Sequence, residues 1–269
     1  MVESMGGLKD GRNTICAANG KNSPMMMDID VWNLARGMAA TVGSPGGETA
    51  VLLVKGAVTA EWQNQKVRME RTSEFNGDPW ALHVPKDVQV RIVSEQDGSI
   101  VLVQSTENGR VFSPKLYRPE DCRSEIFGEG EWGGTARRIV RTVFDYGNAP
   151  YSNMVLGEVI TWPGKWSSYP PHWHPQPEVY YYRFDRPQGF GFCLNGNKAY
   201  KITDNSYAAI SGGDVHPQTS APGYAMYYAW MIRHLKNNPW RDRIIAEDHK
   251  WLCGKNIRIW PDKEQGGMP

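Results

Sequence analysis

The chain has 269 residues, enough for one large domain or two small ones, and either arrangement can bury a sound core. Thirty basic residues against twenty-nine acidic leave a formal charge of +1, which gives no reason to expect a nucleic-acid or anionic-membrane partner. Its apolar runs are far too short to span a bilayer.

Residues 1–24, MVESMGGLKDGRNTICAANGKNSP, contain no secretory h-region and no apolar periodicity, so they read as a loosely held arm. Cys16, Cys122, Cys193 and Cys253 stand singly, without a CxxC pair, and are expected as reduced, buried thiols of a cytoplasmic protein. From residue 25 onward the chain is a series of short strand-like runs broken by Gly, Asn, Asp and Pro. In the first half these are 49–62, 66–75, 80–85, 88–94 and 99–105. In the second they are 137–145, 154–161, 178–184, 189–195, 199–203, 207–211 and 225–234. The densest basic cluster, TARRIVR at 135–141, reads as an ordinary strand with a solvated face. Helical periodicity is confined to a turn or two near DRIIAEDHKWL.

The segment 111–138, with its prolines, glycines and charges, is the best boundary between the two strand series. The expected organisation is all-β, with little helix. Two β-sandwich or barrel units related by duplication, 25–120 and 121–269, pack together. Eleven tryptophans and twelve tyrosines suit pocket or subunit-interface linings as well as core packing.

Chemistry concentrates in PPHWHPQPEVYYYRF, residues 170–184. On a strand, side chains alternate, so His172 and His174 share a face. Continuing that phase adds Glu178, Tyr180, Tyr182 and Phe184. Downstream, SGGDVHP presents His216 after a glycine-rich turn. Three imidazoles and one carboxylate suit a borderline divalent ion such as zinc, manganese, iron or nickel, with positions left open for substrate. The first half has only His83 and no H-x-H. It reads as a structural or dimer-forming unit lacking metal ligands, so a homo-oligomer, a dimer or higher, is expected. His83 reads as a packed or surface histidine, His249 as packing of the C-terminal segment, and His234 has no motif behind it.

The pattern His172-x-His174-x-x-x-Glu178, then Gly213-x-x-His216, resembles the two metal-binding motifs of the cupin superfamily. Trp166, with Gly164 nearby, stands where the first motif usually opens with Gly. Asn205 and Ser211 stand where the second has Gly and Pro. The wider text resembles the 5-deoxy-glucuronate isomerase family of inositol catabolism over most of residues 28–252. The resemblance is carried by GEVITWPGKWSSYPPHWH, EVYYYRFDRPQGFGF, DVHPQTSAPGYAMYYAWMIR and LYRPEDCRSEIFGEGEWGGTARRIVR. It implies a bicupin that interconverts the aldose 5-deoxy-glucuronate and the ketose 2-deoxy-5-keto-gluconate with one divalent metal, zinc or manganese ahead of iron or nickel. Relatives carry a longer acidic insertion between the second His and the Glu, where this chain has only PQP.

On this reading His172, His174, Glu178 and His216 are the ligands of the metal. Tyr182 and Tyr228 are candidates for proton handling or substrate hydrogen bonds. Gln188 is a candidate for a sugar hydroxyl, and Arg183 or Arg233 for the substrate carboxylate. An isomerase of a related 5-keto uronate from pectin breakdown uses the same chemistry. A cupin dioxygenase uses the same ligands with a redox-active metal, and a non-catalytic sugar-binding bicupin is the remaining reading.

Overall fold

The computed structural model describes residues 1–255 and 257–260; residues 261–269 of the expected second domain lie outside the described residues. The described chain is built of antiparallel strands joined by turns and short 3-10 segments. The runs rich in β-branched and aromatic residues form the strands, and Gly, Asn and Pro mark their ends.

In the first half, six strands follow the order Lys115–Tyr117, Trp80–Val84, Gly47–Trp62, Ser99–Glu107, Asp28–Leu34, Gly11–Cys16. The Gly47–Trp62 strand serves two walls. Its first part pairs with Trp80–Val84 and Ser99–Glu107, and its second part with Gln65–Arg71 and Val90–Ser94. Gly56 stands at the corner with φ +113°, where an added Cβ would lie 2.7 Å from the Ser99 Cα. Only glycine tolerates both that conformation and that approach.

In the second half, a seven-stranded sheet runs Val2–Ser4, Ser206–Ile210, Glu178–Phe184, Met226–Arg233, Met154–Thr161, Arg138–Phe144, Arg123–Phe127. A four-stranded sheet, Trp166–Ser167, Gln218–Ser220, Phe190–Asn195 and Lys198–Thr203, completes it. The chain passes from the first strand system to the second between Tyr117 and Arg123.

Three apolar clusters follow from period-two alternation. One fills the first half, with Leu53, Val58, Ile92 and Val101 among its members. A second fills the other half, with Tyr180, Tyr182, Tyr228 and Trp230. The third lies between the halves and takes the alternate residues of the same strands, Val179, Tyr181, Tyr227 and Ala229, against Ile29, Leu52 and Leu102. Both faces of the Glu178–Phe184 strand are therefore covered, which is why EVYYYRF is an unbroken aromatic run. In the shared layer Arg71 grips Glu158 through two hydrogen bonds of 2.6 and 2.7 Å. Glu158 also accepts the Tyr227 hydroxyl at 2.7 Å.

Three expectations need correction, and the expected C-terminal helical turn is present. Residues 1–24 are not a loose arm. Val2–Ser4 pairs with Ser206–Ile210, and Gly11–Cys16 pairs with Asp28–Leu34 and buries Ile15 and Cys16 in the shared layer. TARRIVR does not present a solvated face, because Arg138 and Arg141 are both buried. The C-terminal helical turn is a 3-10 segment, Glu247–Cys253. Of the four free thiols, Cys16 and Cys193 are buried, Cys122 is half-buried and Cys253 is exposed.

Candidate metal centre

Glu178 opens its strand opposite Ile210 and Ile232, and its side chain points to the inner face shared with Tyr180 and Tyr182. His172 and Trp173 form a separate short strand with Ile244–Ile245. Pro175 and Pro177 interrupt the run before Glu178, so strand phase alone does not bring the histidines to the carboxylate. The glycine turn helps to hold them there. Gly213 donates its N–H to the His174 carbonyl at 2.8 Å, and a Cβ on Gly212 would stand 1.9 Å from the Pro175 oxygen. The second motif is thereby locked onto the first.

The donor atoms of His174, Glu178 and His216 lie within 4.8 Å of one another, and all three side chains are buried. Each Nδ1 is turned to a backbone carbonyl two residues away: His172 to Pro170 at 2.8 Å, His174 to Gln176 at 3.0 Å, His216 to Asp214 at 2.8 Å. That leaves every Nε2 for the interior, the arrangement by which proteins fix the tautomer of ligating imidazoles. The Nε2 atoms of His174 and His216 each lie 3.2 Å from Glu178 Oε2. Ligand atoms at about 2.1 Å from one ion in tetrahedral or octahedral geometry stand roughly 3.0–3.4 Å apart. His172 stands beside this group, its ring centroid 5.0 Å from that of His216.

Buried His216 Nε2 has no hydrogen-bond partner despite its nearness to Glu178. A buried donor set with an unsatisfied imidazole nitrogen fits a bound cation. Against its burial, Glu178 raises His216 in turn, while Glu178 and His172 stand in the charge states that bind metal. Burial alone pushes the Glu178 carboxyl up, but His174 and His216 outweigh it and hold the group at about 2. Burial, with the neighbouring His216, brings His172 down to about 3, so it is neutral at physiological pH. An ionised carboxylate and a neutral imidazole are the forms that bind metal.

The cluster opens into a cavity of about 180 Å³ walled by Ser168, Tyr180, Tyr228, Trp230 and Trp240. Ser168 Oγ lies 3.1 Å from both the Tyr180 and Tyr228 hydroxyls. Burial raises both phenols, Tyr228 to about 12 and Tyr180 well above the usual value. Both are protonated at neutral pH and can donate a hydrogen bond. Arg138 and Arg243 line this cavity and also a larger one of about 1630 Å³ beyond it.

The structure thus brings His172, His174, Glu178 and Tyr228 to one cavity and sets His216 against Glu178. The other expected residues stand elsewhere. Tyr182 is buried behind Tyr180 and donates to Gln218 Oε1 at 2.7 Å. Gln188 is exposed in the turn between two strands. Arg183 points to the opposite face of its strand, where its Nε meets Asp204 at 2.8 Å. Alternation from Glu178 already separates Arg183 from the ligand face. Arg233 ends its strand and donates to the His234 carbonyl. His83 packs at 2.7 Å from Glu48 and stacks on Phe144. Tyr180, two residues after Glu178, was available to the same alternation. Ser168, Trp240 and Arg243 lie in irregular segments or beside a two-residue strand, where no periodicity points to them.

A profile of the KduI/IolB family matches residues 1–252. A relative named 5-deoxy-glucuronate isomerase, from Geobacillus kaustophilus (strain HTA426), is 25% identical over 256 residues, covering 85% of this chain and 86% of its own. An IolB-like protein from Salmonella typhimurium LT2 has a similar structure, with a TM-score of 0.82 at 22% identity over 94% of this chain and 99% of that one. Oxalate decarboxylase from Bacillus subtilis shares the fold at a TM-score of 0.63 and 10% identity, over 91% of this chain and 78% of its own. The fold is that of the cupins, and the chain belongs to the KduI/IolB family.

Proposed function

We propose that the protein is a metal-dependent aldose–ketose isomerase of a sugar acid, converting 5-deoxy-glucuronate to 2-deoxy-5-keto-gluconate. The observation that carries this reading is the convergence of His174 and His216 Nε2 on Glu178 Oε2 at 3.2 Å, inside a cavity bearing protonated tyrosines. Family membership and the isomerase name of the relatives supply the reaction class.

Aldose–ketose exchange moves a hydrogen between adjacent carbons while a carbonyl and a hydroxyl change places. His174, Glu178 and His216, with His172 beside them, are the residues to hold a divalent ion, zinc or manganese ahead of iron or nickel. Bound there, such an ion supplies Lewis-acid polarisation of the substrate's paired oxygens. Ser168 bridges the two phenols, so the tyrosine that accepts from Ser168 keeps its own proton free to donate to a substrate oxygen while the other donates to Ser168. Trp230 and Trp240 exclude water from the same space.

Turnover without oxygen tests this reading. The purified protein, incubated anaerobically with 5-deoxy-glucuronate, is expected to yield the ketose with complete recovery of carbon by NMR. Dependence of conversion on oxygen would replace the isomerase with a cupin dioxygenase.

A further inference from the structure

Four arginines are buried among the described residues, and three of them meet a carboxylate. Arg71 pairs with Glu158 at 2.6 Å, Arg141 with Asp78 at 2.7 Å and Arg183 with Asp204 at 2.8 Å. Arg138 is the exception. It is 4% exposed, yet its guanidinium donates only to two backbone carbonyls, Ala136 and Tyr169, each at 2.8 Å. The Phe127 ring lies 5.4 Å away. Among the described residues no carboxylate stands within ion-pair distance of it. A buried cation without an anion is costly, and such a group is retained where a ligand supplies the missing charge.

The position of Arg138 says which ligand. Its side chain lines both the metal-site cavity and the larger cavity beyond, and so does that of Arg243. Arg243 is exposed and forms no ion pair among the described residues. It precedes the Ile244–Ile245 strand that pairs with His172–Trp173, so its backbone is fixed beside the ligand histidines. A third arginine on the wall, Arg123, is already engaged by Asp145 at 2.8 Å and Glu125 at 3.5 Å. The acids nearest this neck in the outer cavity are Glu131 and Asp242; the Asp242 carboxylate accepts the Arg243 backbone N–H at 2.7 Å.

We propose that Arg138 and Arg243 form the seat for the substrate's carboxylate, at the neck between the two cavities. This deepens the sugar-acid reading and rests on it. The acid then lies at the end of the substrate remote from the carbons that react. A carboxylate is itself a good ligand for the metals this donor set suits. A separate cationic seat keeps it from the metal and presents the carbonyl and its neighbouring hydroxyl to the histidines instead. The planar guanidinium fork matches a carboxylate in geometry as well as charge, which lysine does not.

The test compares the sugar acid with its neutral primary amide in the wild type, R138Q, R138K and R243Q, reading KM, kcat and bound metal. Loss of one charged hydrogen bond corresponds to about 10- to 100-fold in binding. R138Q and R243Q are expected to raise KM for the acid by about that factor, with a smaller change in kcat, and to lose the wild-type preference for acid over amide. Metal content stays at the wild-type level, and R138K recovers part of the preference. Arg138 is buried, so R243Q at its exposed position decides the matter if R138Q does not fold. A wild type that converts the acid while folded variants keep its KM and its preference overturns the seat alone. A wild type that converts neither compound overturns the isomerase reading and the seat with it.

Discussion

His216 Nε2 lies 3.2 Å from Glu178 Oε2, and the two make no hydrogen bond. The backbone carbonyl of Asp214 holds the other ring nitrogen at 2.8 Å, so the ring cannot turn to satisfy Nε2 without breaking that contact. The fold has thus fixed a donor set in which His174 meets Glu178 but His216 Nε2 is left without a partner, which a shared cation remedies. Binding a metal to the native state alone stabilises it by mass action, about 2.7 kcal/mol at a hundredfold excess over Kd. Thermal melts are expected to shift upward by several degrees on adding zinc or manganese to chelator-stripped protein. His216→Ala removes that increment, whatever the variant's own melting point.

Trp240 reaches the metal cavity from an irregular segment, and its backbone N–H donates to His234 Nδ1 at 2.9 Å. Burial, aided by Arg233, lowers His234 to about 4 from an ordinary 6.5. Between those values the unfolded chain takes up a proton that the folded one refuses, so stability contributed above pH 6.5 is lost as pH falls toward 4. The loss attributable to this group is about 3 kcal/mol across the window. In His234→Asn the side-chain oxygen keeps the Trp240 contact without titrating. Urea midpoints between pH 4 and 7 are expected to fall less steeply in that variant than in the wild type.

The Arg71–Glu158 pair joins the two halves inside the shared apolar layer. Removing the cation strands a buried carboxylate, with Tyr227 at 2.7 Å and Arg141 at 3.5 Å as its remaining partners. Arg71→Met is expected to lower unfolding free energy by about 3–5 kcal/mol in urea titrations, and replacing both residues with apolar ones to recover most of it.

Gly157 faces Trp230 across two paired strands, and a Cβ there would stand 2.4 Å from the indole Cε2. Gly157→Ala is expected to destabilise by about 1–3 kcal/mol through overpacking. Because Trp230 walls the metal cavity, kcat/KM falls in the same variant. Unchanged melting and kinetics would show that the indole moves aside freely.

The long strands were readable because their alternation or unbroken apolar character is strong; EVYYYRF and AMYYAWMIRH are strands in the structure. Val2–Ser4 and Gly11–Cys16 were not, since an edge strand is held by backbone pairing and shows few apolar side chains. The spacing of His172, His174, Glu178 and His216 pointed to side chains that the fold brings close together. The arginines were misread for a different reason. Composition cannot distinguish Arg183, neutralised by Asp204, from Arg138, which has no acid beside it. That difference arises only when distant strands meet.

The most direct test measures bound metal per chain, by elemental analysis, alongside anaerobic isomerisation of 5-deoxy-glucuronate in the wild type and His174→Ala. His174 contacts both Glu178 and the carbonyl of Gln176, so it joins the carboxylate to the backbone of the first motif. One divalent ion per wild-type chain is expected, with loss of both metal and turnover in the variant. A His174→Ala protein that keeps its metal and isomerises at the wild-type rate would contradict the assignment of this site.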